Sequence, residues 1–480
     1  IIQAQLLAAF RRCEFATDSP EHDFASILFR ERKVWMKIDY YDLDCEYGSE
    51  DPADANLLAT GYARLSGARV VREEWQQYPA ETEFRFGSRP VETTRAIWTG
   101  TDAILITTMY GSSKIGTRYN PANNTWHDIS TNNFPEGMMF DSLQAVWAGD
   151  RLLVFSDGPD RLSGGRYNPS TDTWTRMTTN RAPHYSSMEG KWVWNGKELM
   201  VFSLGADGLT AASYEPKLDE WTPIPTNGLP PFNGVYFATW TGTEAILLGF
   251  SPDGITSTGG RYKPGAPSWS AIPTNGAPAL GFSPGLASSI VVWTGTEILA
   301  MNTEGSGGFG SWAGRYAPGA NRWVEITTNG APIFSFNHHA VWTGSELLVW
   351  NDRSSGPEST SARYRPDADT WLPMNRYEPT LSGMPEETKA IWTGTELLIG
   401  FTSQFQNGVA AGSYSPAKNR WSVVHNGVIQ LGDPTDTTEP VTLWTGSQVL
   451  LFAPANSAPD AGGYVYIYTP LPPLYLYQRQ

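Results

Sequence analysis

The stretch AVWTGSELLVWN, residues 340–351, decides the fold, because the chain repeats its outline eight times. Each copy contains Trp, one residue and Gly, followed by a short apolar run. The copies begin 46 to 53 residues apart. Their tryptophans are Trp98, Trp147, Trp194, Trp240, Trp293, Trp342, Trp392 and Trp444. A repeat of this length predicts a propeller or an array of small units.

A second signature, Tyr-x-Pro, follows each Trp by 20 to 24 residues. Its tyrosines are Tyr119, Tyr167, Tyr214, Tyr262, Tyr316, Tyr364, Tyr414 and Tyr468. Seven residues later a further Trp occurs in seven copies, and Tyr475 holds that place in the eighth. Fifteen of the twenty tryptophans therefore occupy repeat positions.

Each copy predicts four strands. Thr-Gly favours a tight turn after the first strand, and the apolar run predicts a second strand covered on both faces. Pro ends the third strand, because it cannot donate to a ladder. Four antiparallel strands repeated radially are blades of a β-propeller. With 47 Gly and 35 Pro, the chain is predicted to be all-β, and we expect the repeated aromatic rings to pack blade on blade.

The segments GGRYNPSTDTW (164–174), ITTNGAP (326–332) and AVWTGSELLVW resemble bacterial kelch-type repeats over about residues 91–477. The resemblance implies a kelch-like β-propeller, and the eight copies predict eight four-stranded blades; seven blades is the alternative, since kelch propellers more usually have six or seven. The double glycine of the repeat survives in three third strands, and the basic-and-His element before the first Trp is kept as NHHAVW, with His338 and His339.

The domains are predicted as residues 1–88, a small N-terminal extension, and residues 89–480, the propeller. The extension is expected to form a helix over 2–16 and two strands or a hairpin within 26–47. The segment GARVVREEWQQYP, residues 67–79, resembles a detached fourth strand that would close the ring. The C-terminal LYLYQ, residues 474–478, is the alternative for that place.

Cys13 and Cys45 are the two cysteines. A disulfide between them is favoured in an exported protein, and two buried thiols in an intracellular protein are the alternative. The acidic stretch 39–54 contains weak calcium candidates at Asp42, Asp44 and Glu46. The spacing does not fit an EF-hand, so a solvated acidic loop is the default interpretation.

A net charge of −15 argues against nucleic-acid binding, which requires a basic surface. No stretch reaches the length of a membrane-spanning helix. We expect an exported bacterial protein, at the cell surface, extracellular or periplasmic.

A binding site is expected in the variable loops after the second and fourth strands, at the end of the blades opposite the short turns. The candidate anchors there are Phe232, Tyr236, Phe309, Trp312, Phe336 and Phe405. Such aromatic side chains suit sugar or protein contacts; packing over the propeller mouth is the alternative interpretation.

No catalytic residue is predicted. A copper radical oxidase, which also uses a kelch propeller, needs a cysteine that the propeller sequence lacks. The six histidines show no metal-ligand spacing, so no metal site or cofactor is expected apart from calcium. Glycosidase chemistry requires two carboxylates across a cleft, for which Glu304, Asp352 and Glu358 are loop candidates.

Three functional hypotheses follow. The first is a non-catalytic propeller that acts as a structural or protein-interaction module, assembled or anchored through its N-terminal arm. The second is a carbohydrate-binding, adhesive, lectin-like propeller, and the third is a sugar-active hydrolase or epimerase.

Overall fold

The structure is a computed structural model. It describes residues 24–29, 32–37, 76–79, 93–108, 116–135, 143–158, 161–184, 190–205, 208–254, 256–280, 289–302, 313–332, 338–351, 361–375, 385–403, 408–430, 441–453 and 464–470. These residues contain 34 β-strands and no helix. Within them, accordingly, nothing has the length and hydrophobicity of a membrane-crossing helix.

Blades 1 to 4 follow one another along the chain. Blade 1 consists of β4 (Thr93–Trp98), β5 (Ala103–Thr108), β6 (Gly116–Asn120) and β7 (Thr125–Asp128). Blade 2 consists of β8 (Gln144–Trp147), β9 (Leu152–Ser156), β10 (Ser163–Asn168) and β11 (Thr173–Arg176). Blade 3 consists of β12 (Lys191–Trp194), β13 (Leu199–Gly205), β14 (Gly208–Glu215) and β15 (Glu220–Pro223). Blade 4 consists of β16 (Gly234–Trp240), β17 (Ala245–Phe250), β18 (Ser257–Tyr262) and β19 (Ser270–Ile272).

Blades 5 to 8 continue the series. Blade 5 consists of β20 (Ser289–Trp293), β21 (Ile298–Asn302), β22 (Ala313–Ala317) and β23 (Arg322–Glu325). Blade 6 consists of β24 (His338–Trp342), β25 (Leu347–Asn351), β26 (Ala362–Arg365) and β27 (Thr370–Pro373). Blade 7 consists of β28 (Pro385–Trp392), β29 (Leu397–Ser403), β30 (Gly408–Ser415) and β31 (Arg420–Gln430). Blade 8 consists of β32 (Val441–Trp444), β33 (Val449–Ala453), β34 (Tyr464–Tyr468) and β3 (Gln76–Pro79).

Each blade is one antiparallel four-stranded sheet. The first strands of neighbouring blades contact one another, for example β4 with β8 and β20 with β24, so the first strand of each blade is the innermost. The prediction of an all-β propeller with eight four-stranded blades is confirmed.

Strand β3 closes the ring. It pairs antiparallel with β34, with Gln76 opposite Ile467 and Tyr78 opposite Val465. The fourth strand of blade 8 therefore comes from the segment around Trp75 and not from LYLYQ, which was the other candidate for that edge. The ring belongs to a compact unit spanning Trp75–Tyr468. The domain boundary between residues 88 and 89 stays a prediction, although β3 precedes it.

A second compact unit comprises Ile1–Glu74 and Thr469–Gln480. Its described part is the hairpin of β1 (Phe24–Phe29) and β2 (Arg32–Lys37), which pair antiparallel. This hairpin overlaps the segment 26–47, for which two strands or a hairpin are predicted. The predicted helix, Cys13, Cys45 and the acidic candidates Asp42, Asp44 and Glu46 lie outside the described residues.

The core of the ring consists of the contacts between blades. Eight hydrophobic clusters each join two neighbouring blades. One of them packs Tyr119 of blade 1 against Phe452 of blade 8 and so completes the ring. The second strands are covered on both faces, as predicted: Leu347, Leu348 and Val349 are all fully buried. The repeated tyrosines and tryptophans do pack blade on blade.

Two sets of short turns lie at one end of the ring, which we name the short-turn face. The glycine of each Trp-x-Gly turn has φ between 87° and 102°, a conformation that glycine adopts without steric cost. In blade 1 the side-chain amide of Asn120, beside the turn after β6, donates to Asp102 in the turn after β4 at 2.8 Å. The turn between the first two strands and the turn between the last two are therefore neighbours.

Candidate functional site: a cleft on the short-turn face

In blades 2, 3, 6 and 7 the polar side chains of the repeat bond to the blade before. In blade 2 the Tyr167 hydroxyl donates to Asp172 Oδ1 at 2.7 Å. The same oxygen accepts the Ser130 amide of blade 1 at 3.0 Å. The Trp174 indole donates to the Ser130 carbonyl at 2.8 Å. We call this arrangement the Asx–Trp clamp, and it recurs at Asp219 with Trp221, Asp369 with Trp371 and Asn419 with Trp421.

A second set of contacts points forward to the next blade. The arginine that precedes the repeat tyrosine donates to the carbonyl of the next blade's Tyr-x-Pro proline. The donor–acceptor pairs are Arg118 to Pro169 (2.8 Å), Arg166 to Pro216 (2.9 Å), Arg315 to Pro366 (2.5 Å) and Arg363 to Pro416 (2.8 Å). In these four pairs the proline that ends the third strand thus also anchors the blade before it.

In blades 3 to 7 a glutamate lies four residues after the tryptophan of the Trp-x-Gly turn. The carboxylate of this glutamate has a different partner in each of these blades. Nearest polar partners are Lys197 Nζ for Glu198 (3.3 Å), Arg261 Nη2 for Glu244 (2.6 Å), Arg315 Nε for Glu297 (4.0 Å), Arg363 Nη1 for Glu346 (3.6 Å) and the Tyr468 hydroxyl for Glu396 (3.0 Å). Glu297 is the most loosely paired of the five.

A cleft of about 620 Å³ opens on the short-turn face where blades 5, 6 and 7 meet. Blade 5 contributes Glu297, blade 6 contributes Trp342, Glu346 and Arg363, and blade 7 contributes Pro416. The cleft therefore combines an aromatic ring and a few apolar side chains with carboxylates and guanidinium groups.

The Glu297 carboxyl has the perturbed acidity in this cleft. Its partial burial raises its pKa, and the charge of Arg315 offsets only part of that rise. The Nε of Arg315 lies 4.0 Å from this carboxyl, and its Nη1 donates to the Pro366 carbonyl of the next blade. A partly desolvated carboxyl without a close donor is a group that a ligand can satisfy.

Two of the predicted aromatic anchors are described, and both pack against neighbouring blades. Phe232 packs on the cluster between blades 3 and 4. The ring of Tyr236 lies 4.7 Å from that of Phe250 in the cluster between blades 4 and 5, and burial raises the pKa of its hydroxyl. This placement agrees with the packing alternative for these two residues.

Most of the remaining candidates cannot be placed in the described part of the chain. Phe309, Trp312, Phe336, Phe405, Glu304, Asp352 and Glu358 all lie outside the described residues. His339 stacks on Trp350 with ring centroids 5.6 Å apart. In the described part of the chain, no three His, Cys, Asp or Glu side chains gather as a metal site.

Sequence reasoning missed the cleft, which lies at the end of the blades opposite the loops that were favoured. A signal existed in the repeat itself: Thr-Gly-x-Glu and Arg-Tyr occur in the same blade at Glu244 with Arg261, Glu297 with Arg315 and Glu346 with Arg363. That pattern shows paired charges, but it does not show which pair is left open.

Comparisons with known proteins reach parts of the chain. Residues 4–59 match a family described as a protein of unknown function (DUF3768). No curated protein matches the chain.

Solved structures with similar folds include the WD40 domain of SCAP from fission yeast (10% identity, TM-score 0.44, covering 83% of this chain and 98% of that one). Another is an oligogalacturonate lyase in complex with manganese (11%, 0.41, 83% and 98%). A third is a proposed 6-phosphogluconolactonase from Bacteroides uniformis (17%, 0.40, 69% and 97%). At these values the matches carry no argument about activity or ligand.

Proposed function

We propose that this chain is a non-catalytic, exported interaction module of the bacterial kelch type, in which the ring is a rigid platform and the N-terminal unit mediates assembly. The observation that carries the proposal is the use of the repeat's polar side chains. Tyr167, Asp172 and Trp174 all bond within the ring, as do the arginines directed to the next blade. Groups committed to holding the blades together support a scaffold role.

The N-terminal unit supports the assembly part of the proposal. It is one of the two compact units of the chain, and the family match at residues 4–59 falls within it. A two-stranded hairpin such as β1–β2 is at best marginally stable by itself in water. Burial of this hairpin against another chain would stabilise it. The exported location rests on the acidic composition and on the kelch resemblance.

Light scattering on two chains tests the proposal. The first is the full chain of 52.8 kDa, and the second begins at Trp75, which preserves the closing strand β3. We expect the full chain to assemble and the shortened chain to remain a folded monomer, checked by its thermal unfolding. If the full chain is itself a monomer, assembly through the N-terminal unit is wrong.

Two further measurements separate the alternatives. Specific binding on a glycan array by the chain that begins at Trp75 would replace the proposal with a lectin-like function. Turnover of aryl glycosides or sugar lactones would replace it with a sugar-active enzyme. We expect neither.

A further inference from the structure

We propose that the cleft on the short-turn face binds an organic ammonium group, held by the Glu297 carboxylate beside the Trp342 ring. The source of that group is a lysine side chain of a protein or a small primary amine. The lysine source rests on the proposed interaction function, whereas the ammonium chemistry does not.

The three carboxylates that line the cleft differ in how closely an arginine approaches them. Arg365 pairs with Asp367 at 2.8 Å on the rim. Arg363 lies 3.6 Å from Glu346 and donates to the Pro416 carbonyl. Glu297 has only the 4.0 Å approach of Arg315 as a charged contact in the described part of the chain. Glu297 therefore has the longest charged contact of the three carboxylates and is the one most open to a further cation.

The same repeat position in blade 4 shows what a satisfied carboxylate looks like. Arg261 donates to Glu244 Oε1 from Nε at 3.0 Å and from Nη2 at 2.6 Å. In blade 5 the corresponding arginine gives its Nη1 to Pro366. The Nε of Arg315 stays 4.0 Å from Glu297, so a ligand cation would take the place at this carboxylate that Arg261 holds in blade 4.

The surroundings favour an alkylammonium over a metal ion. Calcium and magnesium need six or more oxygen ligands in most sites, and no three candidate ligands gather among the described residues. An indole face attracts a cation, and Trp342 lines the cleft with the apolar side chains of Leu372 and Pro416. Methylene groups of a lysine stem would pack on these walls while the ammonium reached the carboxylate.

The test uses the full chain with three probes at equal ionic strength. They are the peptide acetyl-Gly-Ser-Lys-Ser-Gly-amide, the same peptide with Nε-acetylated lysine, and butylammonium chloride. Binding is followed by the indole signals of ¹⁵N-Trp-labelled protein in NMR titrations. We expect saturable binding of the lysine peptide and no binding of its acetylated form.

Two isosteric variants with the same charge change localise the effect. Glu297→Gln removes the carboxylate of the cleft, and Glu325→Gln removes an exposed carboxylate in the outer strand of the same blade. We expect at least about tenfold weaker binding, equivalent to ~1.4 kcal/mol, for Glu297→Gln and no change for Glu325→Gln.

Each outcome decides something. Butylammonium that binds as tightly as the peptide supports the ammonium site and assigns small amines as its source; a tighter peptide assigns a protein lysine. Equal binding of the acetylated peptide, equal loss in both variants, or no binding of any probe overturns the proposal. The acetylated control needs only wild-type protein, so an unstable variant would not rescue the idea. A monomeric full chain in light scattering would leave the butylammonium result intact.

Discussion

Pro267 stands in blade 4 where blades 1–3 and 5–7 place an aspartate or asparagine, and the matching residue of blade 3, Pro225, has no amide hydrogen to donate. Donor and acceptor of the Asx–Trp clamp are thus absent together at this junction. The rest of the clamp persists, since the Trp269 indole donates to the Pro225 carbonyl at 2.7 Å. Joint loss avoids the cost of a buried polar group that lacks its partner.

Removing the clamp's acceptor at one junction should destabilise the ring. Asp172→Ala leaves the Tyr167 hydroxyl and the Ser130 amide without their acceptor, and alanine is strained at the φ of 50° found there. We expect the free energy of unfolding to fall by about 2–4 kcal/mol. Asp172→Asn keeps both the oxygen and the tolerance of positive φ, and should cost less than about 1 kcal/mol in the same urea titration. Equal losses in the two variants would contradict the clamp.

Gly164, which lies in β10 where the paired strand β9 approaches closely, should not tolerate a methyl group. A Cβ at Gly164 would lie 2.5 Å from both Met177 Sδ and the Val154 carbonyl oxygen. Gly164→Ala should therefore lower the free energy of unfolding by roughly 1–3 kcal/mol. Gly319, where a Cβ meets nothing within 4 Å, is the control, and its change to alanine should stay within about 0.5 kcal/mol of wild type. A silent Gly164→Ala would mean that β9 and β10 can separate freely.

Ring closure by β3 predicts a sharp difference between two shortened chains. A chain that begins at Trp75 retains the pairing of β3 with β34, whereas one that begins at Pro90 lacks it. The second also loses Tyr78, which packs on the cluster between blades 8 and 1. Scanning calorimetry should show a lower unfolding temperature, by about 5 °C or more, for the chain that begins at Pro90. Identical transitions would show that closure by β3 is not needed.

Alkaline pH should weaken the ring through its tyrosines. Burial raises the pKa of Tyr316 and of Tyr414 to about 12, against about 10 in an unfolded chain. Because the native state keeps these protons longer, the unfolding free energy should be unaffected below about pH 9 and should fall as the pH rises from about 10 towards 12.

Urea titrations at several pH values measure this slope, and absorbance at 295 nm reports ionisation. Tyr414→Phe removes one contributor and should flatten the slope. Ionisation of all 21 tyrosines near pH 10 in the folded protein would contradict the prediction.

The blades could be predicted because the repeated residues are required by the structure of their own turn or strand pair. Gly100 is needed for the positive φ of its turn, and Tyr119 lies opposite Trp126 across two adjacent strands. The seven-residue spacing of those two residues follows from a tight turn between β6 and β7. Such short-range constraints are visible in a repeat.

The cleft could not be predicted because it depends on which acceptor the repeat arginine bonds to. The two acceptors are the glutamate of its own blade and the proline carbonyl of the next blade. Arg315 donates to the Pro366 carbonyl of the next blade and stays 4.0 Å from Glu297 in its own blade, whereas Arg261 donates to Glu244 in its own blade. The sequence around these arginines does not show which of the two acceptors each one bonds to. The sequence also could not decide the pairing of β3 with β34, because two segments, residues 67–79 and 474–478, were both candidates for the outer edge of the last blade.

The position of β3 also fixes the order in which the protein can be completed during synthesis. This strand leaves the ribosome before any other strand of the ring, and its partner β34 (Tyr464–Tyr468) leaves after all the rest. The first seven blades can form as they emerge, because their four strands are local in sequence. The eighth blade can form only after β34 has been synthesised. A premature stop codon just before Tyr464 would remove the only described neighbour of β3 and leave the ring without its closing strand pair. A mutation that removes either β3 or β34 therefore has the same consequence, the loss of the pairing that closes the ring.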